Sequence, residues 1–259
     1  MNLAFGFGPV EAEFWRWLFV MTRIGAALLA APFFGAAGVP TQVRVIVTGA
    51  VAVLVCNWTG VAAPAALLSL DGLVAVAGEA LVGLALGFVL QLAFAAPTLA
   101  AEVIGAGMGM SIATAADPNT GAHSPALGQY FGIVLTLVFL GLGGHLIFLE
   151  LVVKSYAAFP PGHAWLGPAR IGMVFGFAGQ MFATALALAL PVTLVLLLVQ
   201  LAAGVLSRSA PSLNLFSLGL PAGVVAGIAA LILSAPLTGD RMADVATDAL
   251  RQAEQVIAR

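Results

Sequence analysis

Long runs without a charged residue dominate the chain and set its secondary structure. Val45–Leu70 spans 26 residues, Ala80–Ala101 22, Pro118–Leu149 32, Ile171–Ser207 37 and Ser209–Gly239 31, each free of Asp, Glu, Lys and Arg. A helix needs about 20 apolar residues to cross ~30 Å of hydrocarbon, and every run is long enough. The runs are continuous, whereas a membrane β-barrel alternates apolar and polar residues in segments of about ten. The pattern predicts an all-α, polytopic membrane-type protein with about six hydrophobic segments.

Turn residues divide these runs into elements. A first helix is expected over Phe14–Phe33, interrupted by Arg16 and Arg23 and closed by Pro32, with a connector at 34–42 containing Gly35, Gly38 and Pro40. A second follows over Val43–Val61. Asp71 is the expected N-cap of a third over Leu73–Ala96, where Pro97 punctuates the chain. Residues 97–126 read as irregular, because Gly105, Gly107, Gly109, Pro118, Gly121 and Pro125 suit a regular helix poorly. Ser124-Pro125 pairs an N-cap with Pro at the first helical position and opens a fourth helix over Ala126–Leu149. After a connector at 154–169, a fifth helix over 171–205 should kink or break at Pro191. Ser207–Asn214 is a polar turn, and a sixth helix covers Leu215–Leu233. In the tail, Met242, Val245, Ala249, Leu250, Ala253, Val256 and Ile257 recur at helical spacing. They describe an amphipathic helix lying on an interface or partner, or a solvated helical end.

Composition agrees with the pattern. Hydrophobic residues make up 62% of the sequence and charged ones 8%, against about 25% charged in an ordinary soluble domain. The net charge of −2 gives no sign of nucleic-acid binding. Cys56 is alone and forms no intramolecular disulfide. The segment before Phe14 lacks a basic n-region, so an uncleaved first helix is expected rather than a signal peptide. The distribution of Lys and Arg favours cytoplasmic termini if the chain crosses six times.

Catalytic constellations do not emerge. His123, His145 and His163 lack metal-ligand spacing, and there is no nucleophile elbow or phosphate-binding loop; no enzyme, cofactor or metal is expected. Packing signals are plentiful. Gly-xxx-Gly steps occur at Gly83/Gly87, Gly105/Gly109, Gly128/Gly132, Gly172/Gly176 and Gly219/Gly223/Gly227, and such steps let helix backbones approach closely. Glu79, Glu102, Glu150 and Arg208 are ionisable groups in or beside apolar segments, where a charge asks for a partner or for water. Each reads either as a polar contact at a joint or pathway or as an interfacial side chain. The run Gly105-Ala-Gly107-Met108-Gly109-Met110-Ser111-Ile112 sets soft, unbranched side chains on a permissive backbone. It is either an adaptable seal or a loosely packed connector.

Taken in order, several short motifs resemble the FliR/SctT family of export-gate subunits over nearly the whole chain. They are Arg23 with Ala31-Pro-Phe-Phe-Gly35, Val39-Pro40 and Arg44; Gly107-Met-Gly-Met-Ser-Ile-Ala-Thr-Ala-Ala-Asp117-Pro118; Pro125-Ala-Leu-Gly-Gln129; Gly144-His145-Leu146 followed by Phe159-Pro160; Ala189-Leu-Pro191; and Gly204-Val-Leu-Ser-Arg208 running on to Phe216. The resemblance implies a subunit of the flagellar type III secretion gate in the bacterial inner membrane, at the flagellar basal body. It implies FliP-like and FliQ-like partners, with FlhB-like and FlhA-like export proteins nearby and unfolded proteins as cargo. It further implies a FliP-like portion over 1–169, a FliQ-like hairpin over 170–239 and a tail over 240–259. Bent helical hairpins then replace some upright spans. A plug in the closed channel falls at about 105–118, with Met108, Met110 and Ile112 sealing and Asp117-Pro118 turning the loop. A secondary transporter or small channel acting alone is the alternative; it predicts inverted repeats around a broken-helix site.

Overall fold

The structure is a computed structural model that describes residues 9–36, 38–61, 69–110, 125–162, 167–209 and 219–258. The described residues form seven helices: α1 (Pro9–Ala30), α2 (Thr41–Trp58), α3 (Leu70–Gly107), α4 (Pro125–Gly141), α5 (Gly144–Ala158), α6 (Pro168–Ser209) and α7 (Leu220–Ile257). Four of them are long and apolar enough to cross a membrane, or five spans if the interrupted pair α4 and α5 counts as one. The chain divides into two compact units. One comprises residues 1–92, 143–178 and 248–259, the other 93–142 and 179–247, so α3, α6 and α7 contribute to both.

Local chemistry explains most helix limits. Pro9 and Pro168 occupy first helical positions, where the missing N–H costs no hydrogen bond. The α3 cap is Ser69 rather than Asp71: the Gly72 N–H donates to Ser69 Oγ at 3.1 Å, and the Leu73 N–H to the Ser69 carbonyl at 2.9 Å. The helix therefore starts earlier than Leu73, because the hydroxyl satisfies an N–H in the first turn.

Other limits differ because packing overrides punctuation. α3 continues through Pro97 to Gly107, so 97–107 is helical and not irregular. Pro97 removes one intrahelical bond, but Phe94, Ala96, Ala100, Ala101 and Ile104 around it are buried. Phe94 also meets Phe139 of α4 edge-on at 5.4 Å. The expected fourth helix is two. Gly143 adopts φ +70°, ending one element and starting the next, a conformation that glycine reaches without a Cβ penalty. α6 runs unbroken through Pro191, and α7 continues through Pro236 into the tail. The seven periodic apolar positions of the tail, Met242 to Ile257, are all buried within the fold.

In the first unit, α1 and α2 form a packed pair. The Trp17 indole N–H donates to the Gly49 carbonyl at 3.1 Å. Arg16, a charge inside the first apolar helix, turns its guanidinium to the free carbonyls at the end of α2, those of Cys56 and Thr59, where a cation satisfies orphan acceptors. α3 presses on α1 through Gly83 and Gly87. A Cβ on Gly87 would stand 2.5 Å from the Ala27 carbonyl oxygen and 2.6 Å from Ala30 Cβ, and one on Gly83 would overlap the Arg23 carbonyl. This Gly-xxx-Gly step is a backbone-to-backbone contact, as its spacing predicts.

Outer surfaces are apolar to a degree that water does not tolerate. Phe175, Leu198 and Leu233 are 71%, 67% and 82% exposed. The most apolar windows of α6 and α7 are only 28% and 17% buried, against 50% for α3. Exposed apolar area on this scale marks a surface covered by lipid or protein.

Candidate functional site

Two joints, one in each unit, gather the chain's chemically distinctive side chains. The first is a charged cluster with no access to solvent. Arg23 of α1 and Glu79 of α3 are both 0% exposed and form a two-point ion pair, Nε to Oε2 at 2.8 Å and Nη2 to Oε1 at 2.9 Å. Arg23 Nη2 also donates to the Phe159 carbonyl at 2.8 Å, and Nη1 to Ser155 Oγ at 3.2 Å. The Gly162 N–H donates to Glu79 Oε1 at 3.3 Å. The Tyr156 ring lies under the guanidinium, 4.1 Å from its carbon, and is held there by its own hydroxyl donating to the Val20 carbonyl at 2.8 Å.

The physical logic is full satisfaction. Moving either charge out of water costs several kcal/mol, roughly, unless good geometry and further hydrogen bonds offset it. The planar guanidinium matches the carboxylate bidentately, and its remaining donors find a hydroxyl and a carbonyl. The aromatic face adds a cation–π contact. One cluster thus ties α1, α3, α5 and the residues just after α5 together. It has no open side for substrate, so it acts on structure.

The second joint is the end of α3, in the other unit. Met108 is 4% exposed. Its side chain lies so close to α7 that a Cβ on Gly227 would stand 2.7 Å from Met108 Cγ, while one on Gly223 would stand 3.4 Å from the Met108 carbonyl oxygen. Gln200 of α6 donates its amide N–H to the Gly107 carbonyl at 2.7 Å. Leu196 of α6 limits the space beside Gly107 to 3.1 Å, and Leu220 crowds Gly109. Gly109 adopts φ +81°, so the chain leaves α3 through a conformation that side chains resist.

The sequence model of bacterial export proteins, family 1, matches residues 14–249. Flagellar biosynthetic protein FliR from Pectobacterium carotovorum subsp. carotovorum is 34% identical over 227 residues, 85% of this chain and 84% of the relative. FliR of Bacillus subtilis (strain 168) is 32% identical over 219 residues, 83% and 84% of the two chains. FliR of Escherichia coli (strain K12) is 36% identical over 159 residues, 61% of each. The chain belongs to the FliR family of bacterial export proteins.

Within this FliR-family chain, the residues singled out in the sequence fall into distinct places. Glu79 finds its partner in Arg23, 56 positions away. Glu102 and Arg208 are exposed, and Glu150 pairs with Lys154 one turn on, at 2.7 Å on the surface, where such pairs contribute little. Gly105 and Gly107 belong to α3, and Met108 and Gly109 to the turn that ends it. Ser111, Ile112, Asp117 and Pro118 lie outside the described residues. Sequence reasoning noticed Arg23 and Glu79 separately but missed their pairing. The available signal was one basic and one acidic group, each set within an apolar stretch of its helix. Nothing in the sequence marked Ser155, Tyr156 or Gln200, and Phe159 stood out only through the Phe159-Pro160 motif, not as a partner of Arg23.

Proposed function

We propose that this chain is an export-gate subunit of the flagellar type III secretion apparatus, helping to form and seal the channel through which unfolded flagellar proteins cross the inner membrane. The observation that carries this reading is FliR-family membership over residues 14–249, joined to helices whose apolar faces stay uncovered in the single chain. A complete transporter would enclose its own pathway, whereas uncovered, glycine-stepped helices suit a subunit that shares its walls with neighbours. FliP-like and FliQ-like chains are the proposed neighbours, with FlhB-like and FlhA-like proteins at the same apparatus. Residues 1–169 take the FliP-like role and 170–239 that of a FliQ-like hairpin. No enzymatic step is assigned.

The seal is assigned to the segment of about 105–118. A conduit for many unfolded chains gains nothing from reading their sequences, but it must be ion-tight when idle. Apolar, adaptable side chains on a glycine-rich backbone meet both needs. Purification from membranes should bring FliP-like and FliQ-like chains with this one. Replacing Met108 and Met110 together by Gly should raise small-ion conductance in cells while the complex still assembles. Unchanged conductance in an assembled double variant overturns the plug assignment, and recovery of the chain without partners overturns the gate reading.

A further inference from the structure

The residues that follow α5 are held by two arginines at once. Arg23 and Glu79 take the backbone: Arg23 Nη2 donates to the Phe159 carbonyl at 2.8 Å, and the Gly162 N–H donates to Glu79 Oε1 at 3.3 Å. Arg170, in the first turn of α6, takes the side chain. Its guanidinium carbon stands 4.4 Å from the centre of the Phe159 ring, and Phe159 is buried. Arg170 Nη2 then donates to the Ala258 carbonyl at 3.4 Å. That carbonyl lies at the end of α7, where helix carbonyls lack intrahelical donors and a cation suits the helix dipole. Residues 248–257 of α7 belong to the first unit, with Arg23, Glu79, Phe159 and Arg170. Their apolar positions Ala249, Leu250, Ala253, Val256 and Ile257 are buried, while Asp248, Arg251 and Glu254 face outward. Glu254 stands within charge range of Lys154 on α5.

We propose that the end of α7, residues 248–257, is a releasable strap on the first unit, and that Arg170 is the positioning residue that fastens it. Phe159 is the anchor. The buried pair fixes its backbone, the backbone fixes its ring, the ring orients the Arg170 guanidinium, and the guanidinium caps the helix at Ala258. The strengths along this line are unequal. Arg23 and Glu79 meet at two points with no exposure, so that pair does not open alone. The fastening is one aromatic face and one long hydrogen bond near the surface, where charge contacts are weak. Local opening follows the weakest contacts, so the strap lifts before the pair breaks. Docked, it offers a charged face outward. Lifted, it bares an apolar stripe at helical spacing, the pattern by which an amphipathic helix enters a groove. This inference is independent of where the channel is sealed.

The test reads maleimide labelling of the full chain in native membranes, in a Cys56→Ser background. The reporter is Ala253→Cys, at a buried position of the strap, with its rate taken relative to Gln255→Cys, which is exposed. Ala52→Cys, buried in α2, reports on the rest of the first unit. Arg170→Met keeps the apolar stem and removes the cation; it should raise labelling at 253 several-fold and leave 52 protected. Phe159→Leu keeps an apolar side chain without the aromatic face and should do the same. Arg23→Met with Glu79→Leu removes the grip on Phe159 and Gly162 without leaving a charge unpaired, and should also raise labelling at 253. Adding Arg170→Met to that pair should raise it no further, because both act through Phe159. Continued protection of 253 in Arg170→Met overturns the strap, and so does equal opening at 52, which marks general loosening. Rises that multiply in the combined variant overturn the role of Phe159 as the shared anchor.

Discussion

The Arg23–Glu79 joint and the Met108 joint solve the same packing problem with opposite chemistry. Both bring helices together over glycines. At the first, Gly83 and Gly87 face backbone atoms of α1, including the Ala27 carbonyl and the Ala31 nitrogen, and a buried ion pair with directional hydrogen bonds holds the register. At the second, Gly227 faces the Met108 side chain, Gly223 leaves an ordinary 3.4 Å approach to the Met108 carbonyl oxygen, and one amide hydrogen bond accompanies them. Backbone cannot retreat, and a buried charge cannot be left unpaired. A thioether can rotate away at small cost. The first joint is therefore built as frame and the second as something able to yield, where the chain leads into the proposed seal.

The largest expected effect comes from breaking the frame. Glu79→Ala leaves Arg23 charged, buried and unpaired, which should cost about 3–5 kcal/mol and sharply reduce the chain's level in membranes. Arg23→Met with Glu79→Leu removes both charges and should recover much of that loss, as read by immunoblot and thermal midpoint. Wild-type levels of Glu79→Ala would falsify the framing role. Gly87→Ala comes next. Its methyl meets backbone, so overpacking of ~1–3 kcal/mol is expected, visible as a lower melting midpoint of the purified protein.

Gly227→Ala should lie at the lower end of that same range, about 1 kcal/mol, because the Met108 side chain can move aside. A loss equal to that of Gly87→Ala would erase the contrast between the joints. The smallest effect belongs to Gly176→Ala, where the added methyl meets nothing within 4 Å. Higher helix propensity should leave the isolated chain unharmed or stabilise it by up to about 1 kcal/mol. A selective loss of partner binding by that variant would locate a neighbour against α6.

Some features were legible in the sequence because they depend on local composition. Uncharged runs declare helices that avoid water, since each backbone polar group in hydrocarbon must be satisfied within its own element. The tail's periodicity marked the positions that are buried. The Gly83/Gly87 step announced a close approach. Punctuation misled where packing opposed it: Pro97 lies inside α3 among the buried Phe94, Ala96, Ala100 and Ala101, and Pro191 inside α6 beside the buried Leu188, Ala189 and Val192, because one lost hydrogen bond weighs less than a buried apolar surface. Gly143 interrupted a run that hydropathy alone reads as continuous.

By itself, then, the sequence determined the class of the protein, the solvent its helices refuse and the family to which its motifs belong. Tertiary structure alone decided which charge meets which, and which glycine receives which side chain. Arg23 and Glu79 are 56 residues apart, and Ser155 lies 132 from Arg23; no local propensity links positions at such separations. Met108 looked like its neighbour Met110 in composition. Its place against Gly227 follows only from α3 and α7 being packed together, because a side chain's role is set by what surrounds it.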